Sequence, residues 1–252
     1  MKPIQSLGLS GMALLITIGV PATAVADSTD AVDGGATAGT TVQAAAPPVE
    51  EQLSRTARLV AAAEAAPVVP DPKAITTLTD ARAAAATTGT KPIRKGTILV
   101  TPDAFKNLIP TGHAAMVWSS SQVVESVAGG VVMGKNNWET SKKKAYGLTV
   151  KSTTVAQDAK AAEWAKDKVG KPYNLAYWNI DTRSKFYCSQ LVWAAFKDNF
   201  QVDLNTSAYS YWGLERRCSS TGICVTVPKK YNPIHPMELV DTDKTSVIWK
   251  MG

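Results

Sequence analysis

The chain has 252 residues, a formal net charge of +6 at pH 7 and a hydrophobic content of 45%. Such a length accommodates one large domain or two small ones. The positive charge lies after residue 90, where 22 basic side chains accompany 13 acidic ones. A basic domain suits an anionic surface such as cell-wall polymer, acidic lipid or glycan. Because no nucleic-acid-binding motif accompanies the charge, a nucleic-acid partner is not expected.

Residues 1–26 have the pattern of a cleaved secretory signal peptide. Lys2 supplies a positive start, residues 7–20 form a short apolar run, and the run Ala-Val-Ala at 24–26 matches a cleavage site. An uncleaved anchor is the alternative, but the apolar run is short for a membrane span. We therefore expect an exported protein, secreted or held in the cell envelope or periplasm, without a stable transmembrane anchor.

Residues 27–90 are predicted to be an Ala/Thr/Pro-rich linker or pro-segment. Residues 27–48 have almost no large apolar side chains, so their burial cannot offset the entropy lost on ordering. Residues 49–65 are good helix formers, with Leu53 and Val60 able to share a face. This helix is either a marginal surface helix or part of a pro-segment that covers a basic cleft.

The folded domain is expected to span residues 91–252. Strands are predicted over residues 96–101, 112–118, 122–127 and 146–150, with a turn and short helix at 102–108 and a break at Gly129 and Gly130. A helix is predicted from residue 154 to residue 169, where Gly170 ends it. Residues 223–227 and 246–249 are further candidates for strands.

Residues 188–196 form the helix around which we expect the domain to be organised. The helix is apolar on almost every side, which is typical of a central buried helix. Cys188 opens it, and the unpaired N–H groups and positive dipole end there favour a thiolate. Considered alone, this cysteine is also compatible with inert packing as a small hydrophobic residue.

The three cysteines leave one unpaired if the chain is exported. Cys218 and Cys224 flank a short, turn-like insert and are the predicted disulfide, which makes Cys188 the free thiol. The alternative is three reduced thiols without a role. The spacing of histidines and cysteines does not match a metal site, and no cofactor is expected.

A cysteine nucleophile needs a base, and the base needs a group that orients it. His113 lies in a predicted strand and is preferred to His235, which precedes a proline in a loop. If residues 119–121 form a three-residue loop, Ala115 pairs with Glu125, and His113 and Glu125 share one face of the sheet. A loop with an even number of residues would place them on opposite faces.

Several motifs follow one another in a characteristic order. They are Gly-Thr-Ile-Leu-Val-Thr, Gly-His-Ala-Ala-Met-Val, Val-Val-Glu-Ser, Gly-Lys-Pro-Tyr-Asn and Phe-Tyr-Cys-Ser-Gln-Leu-Val. The set resembles the YiiX/YebB-like branch of the NlpC-type, circularly permuted papain-like cysteine hydrolases over roughly residues 95–240. The resemblance implies an α+β fold in which an antiparallel sheet packs on a central helix carrying the nucleophilic cysteine at its N-terminus.

The resemblance also implies roles for individual residues. Cys188 would be the nucleophile, His113 the general base and Glu125 the residue that holds the imidazole. The backbone N–H of Cys188 would contribute to an oxyanion hole. The implied substrate-binding residues are Tyr173, Asn174 and Ser189.

Two positions depart from the family pattern. Gln190 stands where many relatives carry an acid, and Asn174 stands where an aspartate is frequent. The resemblance, the signal peptide and the charge together predict an exported, monomeric thiol hydrolase that cleaves amide bonds, foremost in peptidoglycan stem peptides. Two alternatives stay open: a lipid acyl amide or ester hydrolase or acyltransferase, and an inactive cell-wall-binding module.

Overall fold

The structure is a computed structural model that describes residues 47–74, 89–103 and 112–252. The predicted signal peptide, most of the predicted linker and most of the short helix predicted after Pro102 lie outside these residues. Within the described ranges, no helix is long and apolar enough to cross a membrane.

The described residues form five helices and eight strands. The helices are α1 (Val49–Ala65), α2 (Trp138–Ser141), α3 (Val155–Lys166), α4 (Cys188–Phe200) and α5 (Glu238–Asp241). The strands are β1 (Ile98–Thr101), β2 (His113–Val117), β3 (Gln122–Val127), β4 (Gly130–Lys135), β5 (Ala145–Val150), β6 (Tyr211–Cys218), β7 (Cys224–Tyr231) and β8 (Thr245–Met251).

Six of the strands form one antiparallel sheet in the order β4-β3-β2-β1-β5-β8. Helix α4 packs against β2 and β3, with α3 beside it. Every residue from Cys188 to Phe196 is buried, because the helix is enclosed by the sheet, by α3 and by the C-terminal segment. The predicted α+β fold with a central helix is confirmed.

The central strand β1 is buried on both faces. Ile98 and Val100 belong to the hydrophobic core that includes α4, whereas Leu99 packs on the opposite face with Trp138 and Trp249. This alternation follows from the two-residue period of a strand. The sheet is therefore covered on both sides at its centre, which holds the adjoining strand β2 rigidly.

The predicted end of the third strand is confirmed, since β3 ends at Val127, but strand β4, which begins at Gly130, was not predicted. Gly130 has φ +105°, and a Cβ there would lie 2.3 Å from the carbonyl oxygen of Lys171. The glycine therefore does not end the sheet: it permits a tight β3–β4 hairpin that passes close to the neighbouring backbone.

Helix α1 has the predicted bounds, but its buried face differs from the one expected. Leu59 and Ala63 enter the main core, whereas Leu53 is 46% exposed. The chain after α1 is anchored as well, because Lys73 and Arg94 both donate to the buried carboxylate of Asp158, at 2.9 and 2.7 Å. The segment before residue 91 is thus partly integrated into the fold.

Strands β6 and β7 form a separate two-stranded hairpin. Strand β6 was not predicted from the sequence, and only the first part of β7 was. A disulfide joins Cys218 and Cys224 at the end of the ladder. At the other end, Tyr211 and Tyr231 stack with ring centroids 5.5 Å apart.

Candidate active site

The predicted nucleophile, base and orienting residue come from three adjoining elements. Cys188 is the first residue of α4, His113 the first residue of β2, and Glu125 lies in the middle of β3. Strands β2 and β3 pair with Ala115 opposite Glu125, which is the register expected for a three-residue loop. That register places Glu125 diagonally across from His113 on one face of the sheet.

His113 connects the other two residues. Its Nε2 atom lies 2.6 Å from Oε2 of Glu125, and its ring also makes a hydrogen bond with the side chain of Cys188. Because Nε2 is engaged with the carboxylate, Nδ1 is the ring nitrogen left for the sulfur. His113 is only 5% exposed, and its ring stacks on Trp138 with centroids 5.8 Å apart.

The surroundings of His113 favour the imidazolium form. Burial by itself lowers the pKa of His113, but the hydrogen bonds and charges of Cys188 and Glu125 act in the other direction and raise it to about 9. The ring is therefore protonated at neutral pH. A buried imidazolium held between two groups that can be anionic is stabilised by both of them.

Cys188 shows the complementary shift. Burial raises the pKa of this thiol, but the hydrogen bond and charge of His113 and the backbone N–H donors of Ala114 and Ser189 lower it below its ordinary value overall. Cys188 is the free cysteine of the described residues. The pair thus favours a thiolate next to an imidazolium, the form in which a cysteine is nucleophilic.

Gly134 on β4 provides the space for this arrangement. A Cβ at this position would lie 1.9 Å from Oε1 and 2.8 Å from Cδ of Glu125. Without a side chain at position 134, the Glu125 carboxylate can approach the imidazole of His113. The sequence analysis did not identify Gly134, because it did not predict the strand that carries it.

A cleft of about 330 Å³ opens beside Cys188. Its walls are largely aromatic and aliphatic, and they include Leu175, Tyr177, Tyr209 and Ile234. The nucleophile is therefore buried yet borders a space that is large enough to hold part of a substrate.

The three predicted substrate-binding residues all line this cleft. Burial and the nearby charge of Cys188 raise the pKa of Tyr173, so its phenol keeps its proton and can donate a hydrogen bond. Ser189 is fully buried and donates to the carbonyl oxygen of Ile234 at 2.7 Å. Its hydroxyl therefore fixes a wall of the cleft.

Asn174 and Gln190, the two departures from the family pattern, lie against each other. The Asn174 Nδ2 atom donates to Oε1 of Gln190 at 2.9 Å, and the same oxygen accepts the backbone N–H of Tyr187 at 3.2 Å. Gln190 also donates to the carbonyl oxygens of Ile180 and Thr182. The neutral amide pair ties the chain before α4 to the start of the helix.

His235 is a cleft residue whose position the sequence analysis did not recognise. Its ring stacks on Tyr209 with centroids 4.2 Å apart, and its Nδ1 accepts the backbone N–H of Met237 at 3.2 Å. Burial lowers the pKa of His235 to about 3, so the imidazole is neutral. The sequence signal was weak, because His235 lies between prolines in a segment without regular structure.

Helix α1 closes one side of the cleft. Gln52 is among the lining residues, and its backbone carbonyl oxygen accepts the hydroxyl of Tyr209 at 2.7 Å. The Thr56 hydroxyl contacts Tyr209 and lies 3.4 Å from Nε2 of His235. The N-terminal segment thus contributes to the wall of the cleft. Within the described ranges, no group of three or more His, Cys, Asp or Glu residues could hold a metal ion.

The chain is similar in sequence to other proteins over part of its length. Residues 99–219 match the sequence model of a family described as permuted papain-like amidase enzyme, YaeF/YiiX, C92 family. The uncharacterized protein YycO of Bacillus subtilis (strain 168) is 29% identical over 119 residues, which cover 45% of this chain and 47% of YycO. The chain therefore spans about half the length of this curated relative.

Among solved structures, the crystal structure of the metalloprotein yiiX from Escherichia coli O157:H7 matches with a TM-score of 0.45 and 18% identity, covering 64% of this chain and 98% of that one. The predicted resemblance is confirmed by the family match, whose bounds enclose Cys188, His113 and Glu125. Over residues 99–219 the chain is thus similar to the YaeF/YiiX family of permuted papain-like amidases, a similarity that is consistent with a thiol hydrolase.

Proposed function

We propose that Cys188, His113 and Glu125 are the catalytic triad of a cysteine amidase. The observation that carries the proposal is that His113 is hydrogen-bonded to both Cys188 and Glu125 at the edge of the cleft. The order nucleophile, base and orienting carboxylate is the arrangement that cysteine-based acyl transfer requires.

In the acylation step, the Cys188 thiolate attacks the amide carbonyl carbon and the carbonyl oxygen becomes an oxyanion. The backbone N–H of Cys188 lies in the first turn of α4, where amides have no partner within the helix, and it donates to this oxyanion. The His113 imidazolium then gives its proton to the leaving nitrogen. The C–N bond breaks, an amine leaves and a thioester on Cys188 remains.

In the deacylation step, His113 is neutral and takes a proton from a water molecule as that water attacks the thioester carbonyl. The C–S bond breaks, the acid product leaves and the thiolate–imidazolium pair is restored. Throughout both steps Glu125 keeps the imidazole oriented and stabilises its charged form. The substrate amide and one water molecule are converted to an amine and a carboxylic acid.

The substrate class that we propose is the stem peptide of peptidoglycan, reached after export through the predicted signal peptide. The excess of basic residues after position 90 supports a substrate within an anionic envelope. A second candidate is a fatty-acyl amide or ester, because aromatic and aliphatic side chains dominate the walls of the cleft. Both substrates pass through the same acyl-cysteine chemistry.

The test is to incubate the wild-type protein separately with purified peptidoglycan and with fatty-acyl amides, and to trap the acyl group on Cys188 for mass spectrometry. Cleavage of peptidoglycan with a peptidyl adduct supports the first candidate, and a fatty-acyl adduct supports the second. Cys188→Ala should abolish both the adduct and turnover while the circular dichroism spectrum stays unchanged.

A matched control is the double variant Cys218→Ser with Cys224→Ser, which removes the other two cysteines and should retain the adduct. Reaction of Cys188 with iodoacetamide at neutral pH should be faster than that of an ordinary thiol. If it is no faster, or if Cys188→Ala leaves turnover unchanged, the triad is wrong and the inactive wall-binding module becomes the better interpretation.

A further inference from the structure

The β6–β7 hairpin exposes an unusual number of large apolar side chains. Trp212 is 70% exposed, Leu214 is 51% exposed, and Ile223 at the disulfide-closed tip is 70% exposed. Single exposed apolar residues are ordinary, but a group of them on one projecting element indicates an interaction surface. The triad does not explain this group.

The cross-strand register shows which side chains share a face. The pairs on the face of Trp212 are Trp212 with Lys230, Leu214 with Pro228, and Arg216 with Thr226. All six of these residues are exposed. Successive residues alternate between the faces, so Tyr211 and Tyr231 lie on the opposite face and are buried. The face of Trp212 is therefore the outward one.

The charge on this outward face has one sign. Arg216 and Lys230 are its charged residues, and neither has an ion-pair partner within the described part of the chain. Glu215 is the acidic residue between positions 211 and 231, and it projects from the opposite face. There it is paired with Arg217 and Lys229.

We infer that the outward face of the β6–β7 hairpin docks onto the surface of an anionic lipid bilayer. The indole ring of Trp212 and the aliphatic side chain of Leu214 would enter the headgroup boundary, where amphipathic indole rings are favoured. Arg216 and Lys230 would contact the anionic headgroups. This surface lies outside the triad, so the inference does not depend on the substrate.

Two other occupants fit the face less well. A hydrated glycan offers no apolar phase to the aliphatic side chain of Leu214. A second copy stacked face to face would bring the basic residues of both copies together without a carboxylate between them. An anionic bilayer complements both the apolar groups and the positive charge.

The base of the β6–β7 hairpin contacts a residue of the cleft wall. Tyr211 and Tyr231 at its base pack against Tyr177, which lines the cleft. The base of the hairpin is therefore in direct contact with the wall of the cleft. Docking would therefore hold the hydrolase at the membrane surface with its cleft nearby.

The experiment measures co-sedimentation of the full chain with vesicles of phosphatidylglycerol and phosphatidylcholine, and with phosphatidylcholine vesicles alone. The wild-type protein should bind the anionic vesicles, and raised salt should weaken this binding. The double variants Trp212→Ser with Leu214→Ser and Arg216→Gln with Lys230→Gln should each weaken partitioning by about tenfold.

Matched controls change the same residue types elsewhere on the surface. Ile93→Ser with Val155→Ser and Lys135→Gln with Lys143→Gln alter exposed positions of the main body and should change partitioning by less than about twofold. Circular dichroism verifies the fold of each variant.

Several results would overturn the inference. One is the absence of binding to anionic vesicles, and another is an equal loss in the lysine control, which would show that only net charge matters. Hairpin-dependent binding to purified peptidoglycan without vesicle binding would assign the face to the wall. A dimer in light scattering that Trp212→Ser with Leu214→Ser converts to a monomer would assign it to a second copy.

Discussion

The two histidines of the domain are both buried, His235 in the wall of the cleft and His113 against the cleft residue Cys188, but their pKa values are shifted in opposite directions. His113 contacts two groups that can be anionic, and its pKa is raised to about 9. His235 contacts an aromatic ring, a hydroxyl and a backbone N–H, and burial lowers its pKa to about 3. Burial favours the neutral ring in both cases, so the anionic partners determine which histidine is charged.

The difference distinguishes the environment expected of a general base, at His113, from that of a histidine with a structural role, at His235. A protonated ring beside a thiolate can transfer a proton to a leaving group. A neutral ring that accepts the backbone N–H of Met237 fixes the wall on which α1 rests. Burial of a histidine next to a cleft is therefore insufficient to identify a base.

The largest expected effect is the difference between the two variants in which one histidine is replaced with asparagine. His113→Asn should lower turnover and Cys188 alkylation by on the order of 10³, because it removes both the proton carrier and the stabilisation of the thiolate. His235→Asn keeps an acceptor for the Met237 N–H and should change the alkylation rate by less than about threefold. Alkylation reactions that are quenched at set times and analysed by mass spectrometry measure the rate for each variant. Equal losses in the two variants would contradict the assignment.

The next effect concerns the carboxylate that distinguishes the two rings. Glu125→Gln removes the negative charge at His113 and should lower the pKa of its imidazolium from about 9. The basic limb of the pH–rate profile should therefore move to lower pH, and turnover at neutral pH should fall on the order of 10². Glu163→Gln, at an exposed position, is the control. An unshifted basic limb would show that Glu125 does not set the ionisation of His113.

A smaller effect is expected on stability in acid. The folded-state pKa of His235 is lowered from 6.5 to about 3, so the unfolded chain binds more protons in this range and stability falls as the pH falls. This residue contributes a slope of at most about 1.4 kcal/mol per pH unit. His235→Asn should reduce the slope of the unfolding free energy between pH 6 and 4, measured by urea denaturation, by about that amount at most. An unchanged slope would mean that the ring is not held neutral.

The Cys188–His113 pair should not make the unfolding free energy depend on pH in the same way at neutral to alkaline pH. The folded pair holds one proton, and the unfolded chain also holds one between the ordinary pKa values of 6.5 and 9.0. As the pH rises towards about 9, the stabilisation that comes from the protonated His113 decreases. Over the same range the stabilisation that comes from the Cys188 thiolate of the folded state increases, and the two changes cancel. We expect the unfolding free energy attributable to this pair to stay level there.

The smallest effect tests the contact of α1 with the neutral histidine. Thr56→Val removes the hydroxyl that contacts His235 and Tyr209, and it should lower the unfolding free energy by about 1 kcal/mol. The alkylation rate of Cys188 should not change, because Thr56 does not contact the pair. Faster alkylation would instead indicate that α1 shields the nucleophile, as a pro-segment would.

The sequence was sufficient to predict the part of the site that depends on short-range geometry. A three-residue loop determines the register of β2 and β3, and the register determines that His113 and Glu125 share a face. Cys188 was chosen as the candidate nucleophile because the helix that follows it is apolar on almost every side. These inferences need only strand periodicity and helix polarity.

The missed parts depend on contacts between distant segments. Strand β6 has three consecutive charged residues, and Tyr211 is its one buried residue, so its pairing with β7 had only a weak periodic signal in the sequence. The docking of α1 relies on polar contacts of Thr56 and Gln52 with residues more than 150 positions away. His235 is buried by that docking, and its neighbours in sequence do not indicate it.

The hydrogen atom that Gly134 carries in place of a side chain has a consequence for how the enzyme can be tuned. Any larger substituent on this edge strand would push the Glu125 carboxylate aside and leave the nucleophile and its proton carrier chemically intact. The proton affinity of the imidazole is thus under the control of a residue with no functional group. Mutational surveys that sample only reactive side chains would overlook this residue. Gly134→Ala would lower the activity of the hydrolase without changing any of its reactive groups.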